Sequence, residues 1–486
     1  MRLFRRGALL ASMVVPLIPA LTPAAGNAAA REPVDEARID AMAARIDGFL
    51  ADAWATQGIE PARAAADAQF LRRVSLDLIG RIPRAMEARL FLDDAAPDRR
   101  RRLVERLLDS REHAEYMAAI WHAALLPDVG GSTPLQPWLA QKFADGVGYD
   151  RIARDIVLAA AKGRGGDPAL QVPLDRKPTE LAAAVSRTFL GTQIQCAECH
   201  KHPTDVWTQD DFWGFAAFFG DVKHPLTNAG VAPRFLGAVA DVEHGRDARG
   251  ELAAWLTSAE NRWFARASVN RLWGMLFGAG LVHPVDDLGE HNPPAHTGVL
   301  DELAGFFATG GWSHRDVLRV LTRTRAYGLA GGDGRLFAAM PLEPLNAVQL
   351  FNSLATAYRS PRLEARAPRL NGFTASTVEL FLAKFRTAPG QEREYTAGIP
   401  QAITMMNSDM FDPMRAVFNE AMAAAKNDPE RIEALFLATV SRPPAPAELS
   451  RCLDVLGRET TEAGRRHAFV DIHWALVNSA EFAFSP

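Results

Sequence analysis

Residues 179–220 read TELAAAVSRTFLGTQIQCAECHKHPTDVWTQDDFWGFAAFFG. On the amino-terminal side Leu181, Val185 and Phe189 recur at steps of four, with Leu190 and Ile194 beside them, which is the period of an amphipathic helix. On the other side Thr208 stands three residues before Asp211, a capping pair that opens a helix over QDDFWGFAAFF with Phe212, Phe215 and Phe219 on one face. Between the two helices lie Cys196, Cys199, His200 and His202, in a chain with only three cysteines and twelve histidines. The first helix is predicted to run into Cys196 and end near His200, because Pro203 forces His202 out of the helical region.

The same period recurs outward from this joint. ARIDAMAARIDGFLADAW places Ile39, Met42, Ile46 and Leu50 on one face, and RRRLVERLLDS does so with Leu103, Leu107 and Leu108. HTGVLDELAGFFA carries Leu300, Leu303 and Phe307, and SHRDVLRVLTRTRAY opens on Ser313 as an N-cap with Asp316 three residues later. Period-two alternation is scarce, FLGAVADVEH (235–244) being its best instance. The expected class is mainly α: multi-helical, in two halves, with few or no regular strands. Residues 223–250 lose the helical period and gather Pro225, Pro233 and several glycines, so they form the expected connection between a helical domain over 31–222 and another over 251–486. A further irregular stretch, 371–401, interrupts the second half. The two ends echo each other: LRRVSLDLIGRIPRAMEARLFL and LFLATVSRPPAPAELSRCLDVL both pass from a helix through Arg-x-Pro-x-x-x-Glu into another helix. LLDSRE (107–112) and LVNSAE (476–481) then follow. Shared turn chemistry and an old duplication both account for this.

The 486 residues are 48% hydrophobic and 23% charged, an ordinary globular composition, and a formal charge of −4 gives no basic field for nucleic acid. Arg2, Arg5 and Arg6 precede the apolar run GALLASMVVPLIPAL and the small residues Ala28, Ala29 and Ala30, so residues 1–30 are expected to be a signal peptide. Its removal takes the formal charge to −7 and leaves no apolar run long enough to span a bilayer. The expected location is exported, periplasmic or cell-envelope, where free thiols need a reason.

Cys-Ala-Glu-Cys-His is the attachment signature of c-type haem. Two thiols on one turn reach the two vinyl groups, and the following histidine turns its imidazole onto the iron. Cys196 and Cys199 are thus candidate thioether anchors of one covalent haem c, and His200 the proximal iron ligand. Zinc is an alternative that requires a distant fourth ligand, and a Cys196–Cys199 disulfide is another. Cys452, in LSRCLDVL, reads as a buried apolar residue. The sixth iron position has the candidates His224, His283, His291, His296, Met405 and Met406. The aromatic helix after the motif is either plain core or a wall excluding water from the haem edge. VDDLGEHNPPAH gathers Asp286, Asp287, Glu290, His291 and His296, as a carboxylate or metal site or as a polar loop capping the next helix.

FLGTQIQCAECHKHPTDVWTQDDFWGFAAFF resembles the end of the domain of unknown function 1549, and LRRVSLDLIGRIP with LVERLLDSREH resembles its opening. FARASVNRLWGMLFGAGLVHPVDDLGEHNPPAHTGVLDELAGFF, RTRAYGLA, IPQAITMMNS, LFLATVSRPPAPAE and HWALVNSAEFAF resemble the partner domain of unknown function 1553. The pair is described as cytochrome-associated and planctomycete-type. The resemblance implies haem residues at Cys196, Cys199 and His200, with His202, Asp205 and Trp207 as companions. The expected function is envelope electron transfer or haem-dependent oxidation with an envelope redox partner. The alternative is a non-redox helical scaffold or binding protein with the cysteines as a disulfide or metal site.

Overall fold

Asp35 opens the first helix by accepting from the Arg38 backbone N–H at 3.0 Å, and Gly58, at φ 63°, closes it. Between them α1 (Glu36–Gln57) buries Ile39, Ala43, Ile46, Leu50 and Trp54, one residue per turn. The same logic repeats along the chain. The structure, a computed structural model, describes residues 35–127, 133–159, 170, 176–238, 242, 247–258, 261–358, 381 and 425–485. The expected signal peptide, nearly all of the irregular stretch 371–401, and Met405 and Met406 lie outside them.

The first half continues with α2 (Asp67–Ile79), α3 (Ala85–Leu92), α4 (Arg99–Leu108), α5 (Arg111–Leu125), α6 (Leu135–Ala144), α7 (Tyr149–Ala159), α8 (Pro178–Val185) and α9 (Gln209–Ala216). The second half adds α10 (Ala248–Leu256), α11 (Phe264–Phe277), α12 (Thr297–Thr309), α13 (His314–Arg323), α14 (Ala347–Ala357), α15 (Asp428–Thr439), α16 (Pro446–Gly457), α17 (Glu462–Val477) and α18 (Ala480–Ala483). Two strands, β1 (Glu343–Pro344) and β2 (Phe484–Ser485), pair antiparallel. The fold is mainly α.

Two caps read from sequence are present: Thr208 with Asp211, and Ser313 accepting from Asp316 N. One helix end differs. The helix before the motif stops at Gly191, not at His200. α8 loosens into a π-turn, Ser186–Leu190, and Gly191 adopts φ 61°. A side chain at Gly191 would lie 2.4 Å from Leu288 Cδ1 and 3.1 Å from Ala267 Cβ, so glycine alone fits beneath the second half. Cys196 instead lies in a separate 3₁₀ turn, Gln195–Glu198, with Cys199 as its C-cap.

From Asp35 onward the chain is one compact unit, and its largest apolar cluster runs unbroken from Ile39 in α1 through Phe215, Trp273 and Phe307 to Met340. The connection takes part: Phe235 stacks between Phe218 and Trp255, at 5.1 and 5.0 Å.

α2 carries buried charge into this core. Arg73 Nη1 donates to the carbonyls of Tyr327 and Leu329, at 2.7 and 2.9 Å, and the Tyr327 hydroxyl donates to Asp77 Oδ2 at 2.7 Å. Arg72 donates to the carbonyls of Thr439, Phe482 and Phe484, at 3.0, 2.8 and 3.3 Å. Burial pushes the Asp77 carboxyl up to about 8 and the Arg72 guanidinium down to about 10. One helix of the first half thus holds residues from the whole second half.

Candidate functional site

The CAECH turn is anchored through its backbone and left open at its thiols. Ala197 is buried and donates to the Ile194 carbonyl at 2.9 Å. The Glu198 carbonyl accepts from Trp213 Nε1 at 3.1 Å and Gln209 Nε2 at 3.3 Å, which fixes the turn to α9. Cys196 and Cys199 are both exposed and both free.

The two histidines have opposite hydrogen-bond roles. His200 Nδ1 donates to the Lys201 carbonyl at 2.7 Å, which puts the ring proton on Nδ1 and leaves the Nε2 lone pair available. This is how a metal-binding imidazole is held in its ligating tautomer. His202 Nδ1 accepts from Asp205 N at 2.9 Å and Thr204 N at 3.4 Å, so its lone pair is committed within the loop. The His202 N–H donates to the Trp207 carbonyl at 2.9 Å and closes that loop. Trp207 is buried, 6.2 Å from Trp263, and its Nε1 is a donor with no partner among the described residues.

The second half brackets the motif. Leu288 N donates to the Gly191 carbonyl at 2.7 Å, and Gln193 Nε2 to Asp286 Oδ1 at 3.0 Å. His291 lies between two carboxylates, with Nε2 3.1 Å from Asp287 Oδ1 and Nδ1 3.8 Å from Asp205 Oδ1. The bracket is set by Asn270 on α11, fully buried, which donates to the carbonyls of Val282 and Val285 at 2.8 and 3.2 Å and accepts from Val282 N at 2.9 Å.

The sixth-ligand candidates are distributed as follows. His224 Nε2 faces Asp210 at 3.4 Å, and His296 Nε2 donates to the Phe49 carbonyl on α1 at 3.0 Å. His283 is exposed, and His291 alone among the described candidates meets a carboxylate of the motif's own loop. The acidic residues of 286–290 do not act as one cluster, since Asp286 and Asp287 serve different partners. Among the described residues no group of three or more His, Cys, Asp or Glu is placed to hold a metal ion. The rings of Phe212, Phe215 and Phe219 belong to the main core, where the plain packing reading places them. Cys452 is half-buried against Ile432 and its neighbours in a smaller cluster.

Sequence reasoning missed Asn270 and the Asp205–His291 meeting. Asn270 carried a signal: a lone amide on the apolar face of ASVNRLWG, aligned with Ala267 and Gly274. The Asp205–His291 pair carried none, because its members lie in different halves.

The donor set fits a covalent haem c: two free thiols on one turn and, next to them, an imidazole with Nε2 uncommitted. The family model described as PSCyt2, protein of unknown function (DUF1549), matches residues 45–224. That described as PSD1, protein of unknown function (DUF1553), matches residues 248–371 and 353–456. No curated protein and no solved structure matches.

Proposed function

We propose that this chain, which belongs to the tandem DUF1549–DUF1553 family, is an exported c-type haem protein of the cell envelope, acting in electron transfer or haem-dependent oxidation. The observation that carries the reading is the contrast between exposed, free Cys196 and Cys199 and the Nδ1-anchored His200 beside them. The PSCyt2 name, which points to cytochrome association, supports it. Cys196 and Cys199 would hold the haem through thioether bonds, and His200 would offer its Nε2 lone pair to the iron. When bound, the group supplies reversible one-electron chemistry. His202 keeps the loop closed, and the 280–292 bracket fixes the turn from the other half. The rings of α9 face the core, and among the described residues both thiols lie exposed on the side a redox partner would approach.

The experiment is export of the full chain together with haem-attachment machinery, followed by haem staining after denaturing electrophoresis. Staining in the wild type that is lost in Cys196→Ser with Cys199→Ser supports the proposal. Absence of stain in both sinks it. A second reading, a non-redox envelope scaffold with a Cys196–Cys199 clip, is favoured by two free thiols on one exposed turn. It predicts an unstained protein whose mass falls by two hydrogens on oxidation and whose thiols resist alkylation until reduced.

A further inference from the structure

Two corners at opposite ends of the chain are built alike. In the first, Gly80 at φ 66° ends α2 and Arg81 follows. Its guanidinium donates to Glu87 through Nη1 and Nη2, at 3.0 and 3.2 Å, and to Glu112 through Nε and Nη2, at 3.1 and 2.8 Å. In the second, Ser441 at φ 64° follows α15 and precedes Arg442. That guanidinium donates to Glu448 through Nη1 and Nη2, at 2.7 and 2.9 Å, and to Glu481 through Nε and Nη2, both at 2.7 Å. In each corner Nη1 also donates to the next carbonyl, Ile82 or Pro443. In each, the nearer glutamate accepts from the N-cap amide, Arg84 N at 2.8 Å or Ala445 N at 2.7 Å.

The likeness extends to a distant serine. Ser110 and Ser479 both donate to the carbonyl three residues back, Leu107 or Leu476, at 2.6 Å. Both accept from the amide three residues ahead, His113 at 3.1 Å or Phe482 at 3.2 Å. Shared turn chemistry accounts for Arg-x-Pro-x-x-x-Glu. It does not account for a second glutamate 31 or 39 residues from the arginine that enters through the same serine cap onto the same two nitrogens. The differences also match. A side chain at Gly80 would lie 2.3 Å from Tyr116 Cδ2, whereas the position counterpart to Tyr116, six residues past the capping serine, is Ser485. The second corner therefore has room for a serine where the first requires glycine.

We infer that residues 67–125 and 428–485 are two copies of one clamped helical module, and that the partner this module's surface fits is another copy of itself. The copies meet directly. α3 packs on α15, Arg89 pairs with Glu433 at 3.1 Å, and Leu76 and Ile82 share an apolar cluster with Val477 and Phe482. Arg72 of the first copy closes the contact on the Thr439, Phe482 and Phe484 carbonyls of the second. Neither corner includes a residue of the cysteine site.

The test converts the second corner into the first within the full chain: Ser441→Gly, Pro443→Ile, Ala445→Arg, Pro446→Ala and Ala447→Met together, read by amide hydrogen exchange. Positions 443, 445 and 447 are exposed, so the exchange of side chains meets no core. Copies predict native protection over 428–477 and a Tm within ~3 °C of wild type. Arg442→Met should remove protection from that region equally on both backgrounds. Protection lost in the converted chain as fully as in Arg442→Met overturns the copy relation. Arg72→Met tests the pairing: a loss of protection across 428–485 greater than across α11 to α13 supports it, and unchanged protection there overturns it.

Discussion

LRRVSLD, residues 71–77, and CAECHKHPTD, residues 196–205, are both rich in polar side chains, yet the fold treats them in opposite ways. In the first, Arg72, Arg73 and Asp77 are buried, and named carbonyls or hydroxyls meet each of them. In the second, the backbone is held while both thiols and one imidazole nitrogen are left uncommitted at the surface. Buried polar groups that meet partners tie a structure together, because removing one strands the other. Exposed groups that the fold orients but does not use are the ones free to meet a ligand. The first stretch joins the two halves, and the second is where chemistry can occur.

The largest break in this comparison is expected at Arg72. Arg72→Met fills similar volume but strands three carbonyls, so unfolding by denaturant should show a loss of about 3–5 kcal/mol. Cys196→Ser with Cys199→Ser should remove haem staining at almost no cost in stability, within about 0.5 kcal/mol. A large stability loss in the cysteine variant would show that the motif is structural after all.

Asp77 sharpens the contrast through pH. Burial pushes its folded pKa up to about 8, above the unfolded value, so the native state holds this proton more tightly. Its contribution is present below about 4 and is lost as pH rises through 8. Asp77→Asn should therefore gain on the wild type between pH 5 and 9, by on the order of 1 kcal/mol or more. Denaturant midpoints across that range check the sign, and equal slopes in both proteins would reject the buried-acid account.

His314 gives the acid-side counterpart. It is stacked 5.3 Å from Phe307, neither ring nitrogen has a hydrogen bond among the described residues, and burial lowers its pKa to about 3. A base with a depressed folded pKa keeps full stability above about 6.5 and loses it as pH falls toward the folded value. His314→Phe should flatten the acid limb between pH 6 and 4 while changing stability at pH 7 by less than about 1.5 kcal/mol. Gly191→Ala reaches the cysteine turn from the end of the helix before it. The left-handed backbone and the Leu288 contact predict a loss of about 1–2 kcal/mol, with faster alkylation of Cys196 and Cys199 in the haem-free chain as the turn loosens.

Much of this was legible from the sequence, for a local reason. Helices such as α1 and α13 announce themselves by caps and a period that their own residues carry. The motif was legible because five adjacent residues define it. The end of the preceding helix was not. Ile194 continues the apolar period past Gly191, but Gly191 turns left-handed and its carbonyl is taken by Leu288 N, from the other half. The same holds for His291, whose meeting with Asp205 depends on the loop that Asn270 fixes. The echo between the two ends was visible as letters, but its weight came from the second glutamate of each clamp, which only the folded chain brings to the arginine.

The central claim, that His200 and not His202 is the iron-binding imidazole, is tested most directly by the visible spectrum of two variants purified with haem attached. His200→Ala should lose the native Soret position and axial-ligand bands, because the Nε2 lone pair next to Cys199 is gone. His202→Ala should keep them, since its Nδ1 is occupied by the Asp205 and Thr204 amides and its loss only loosens the loop. A silent His200→Ala beside a damaged His202→Ala would contradict the account.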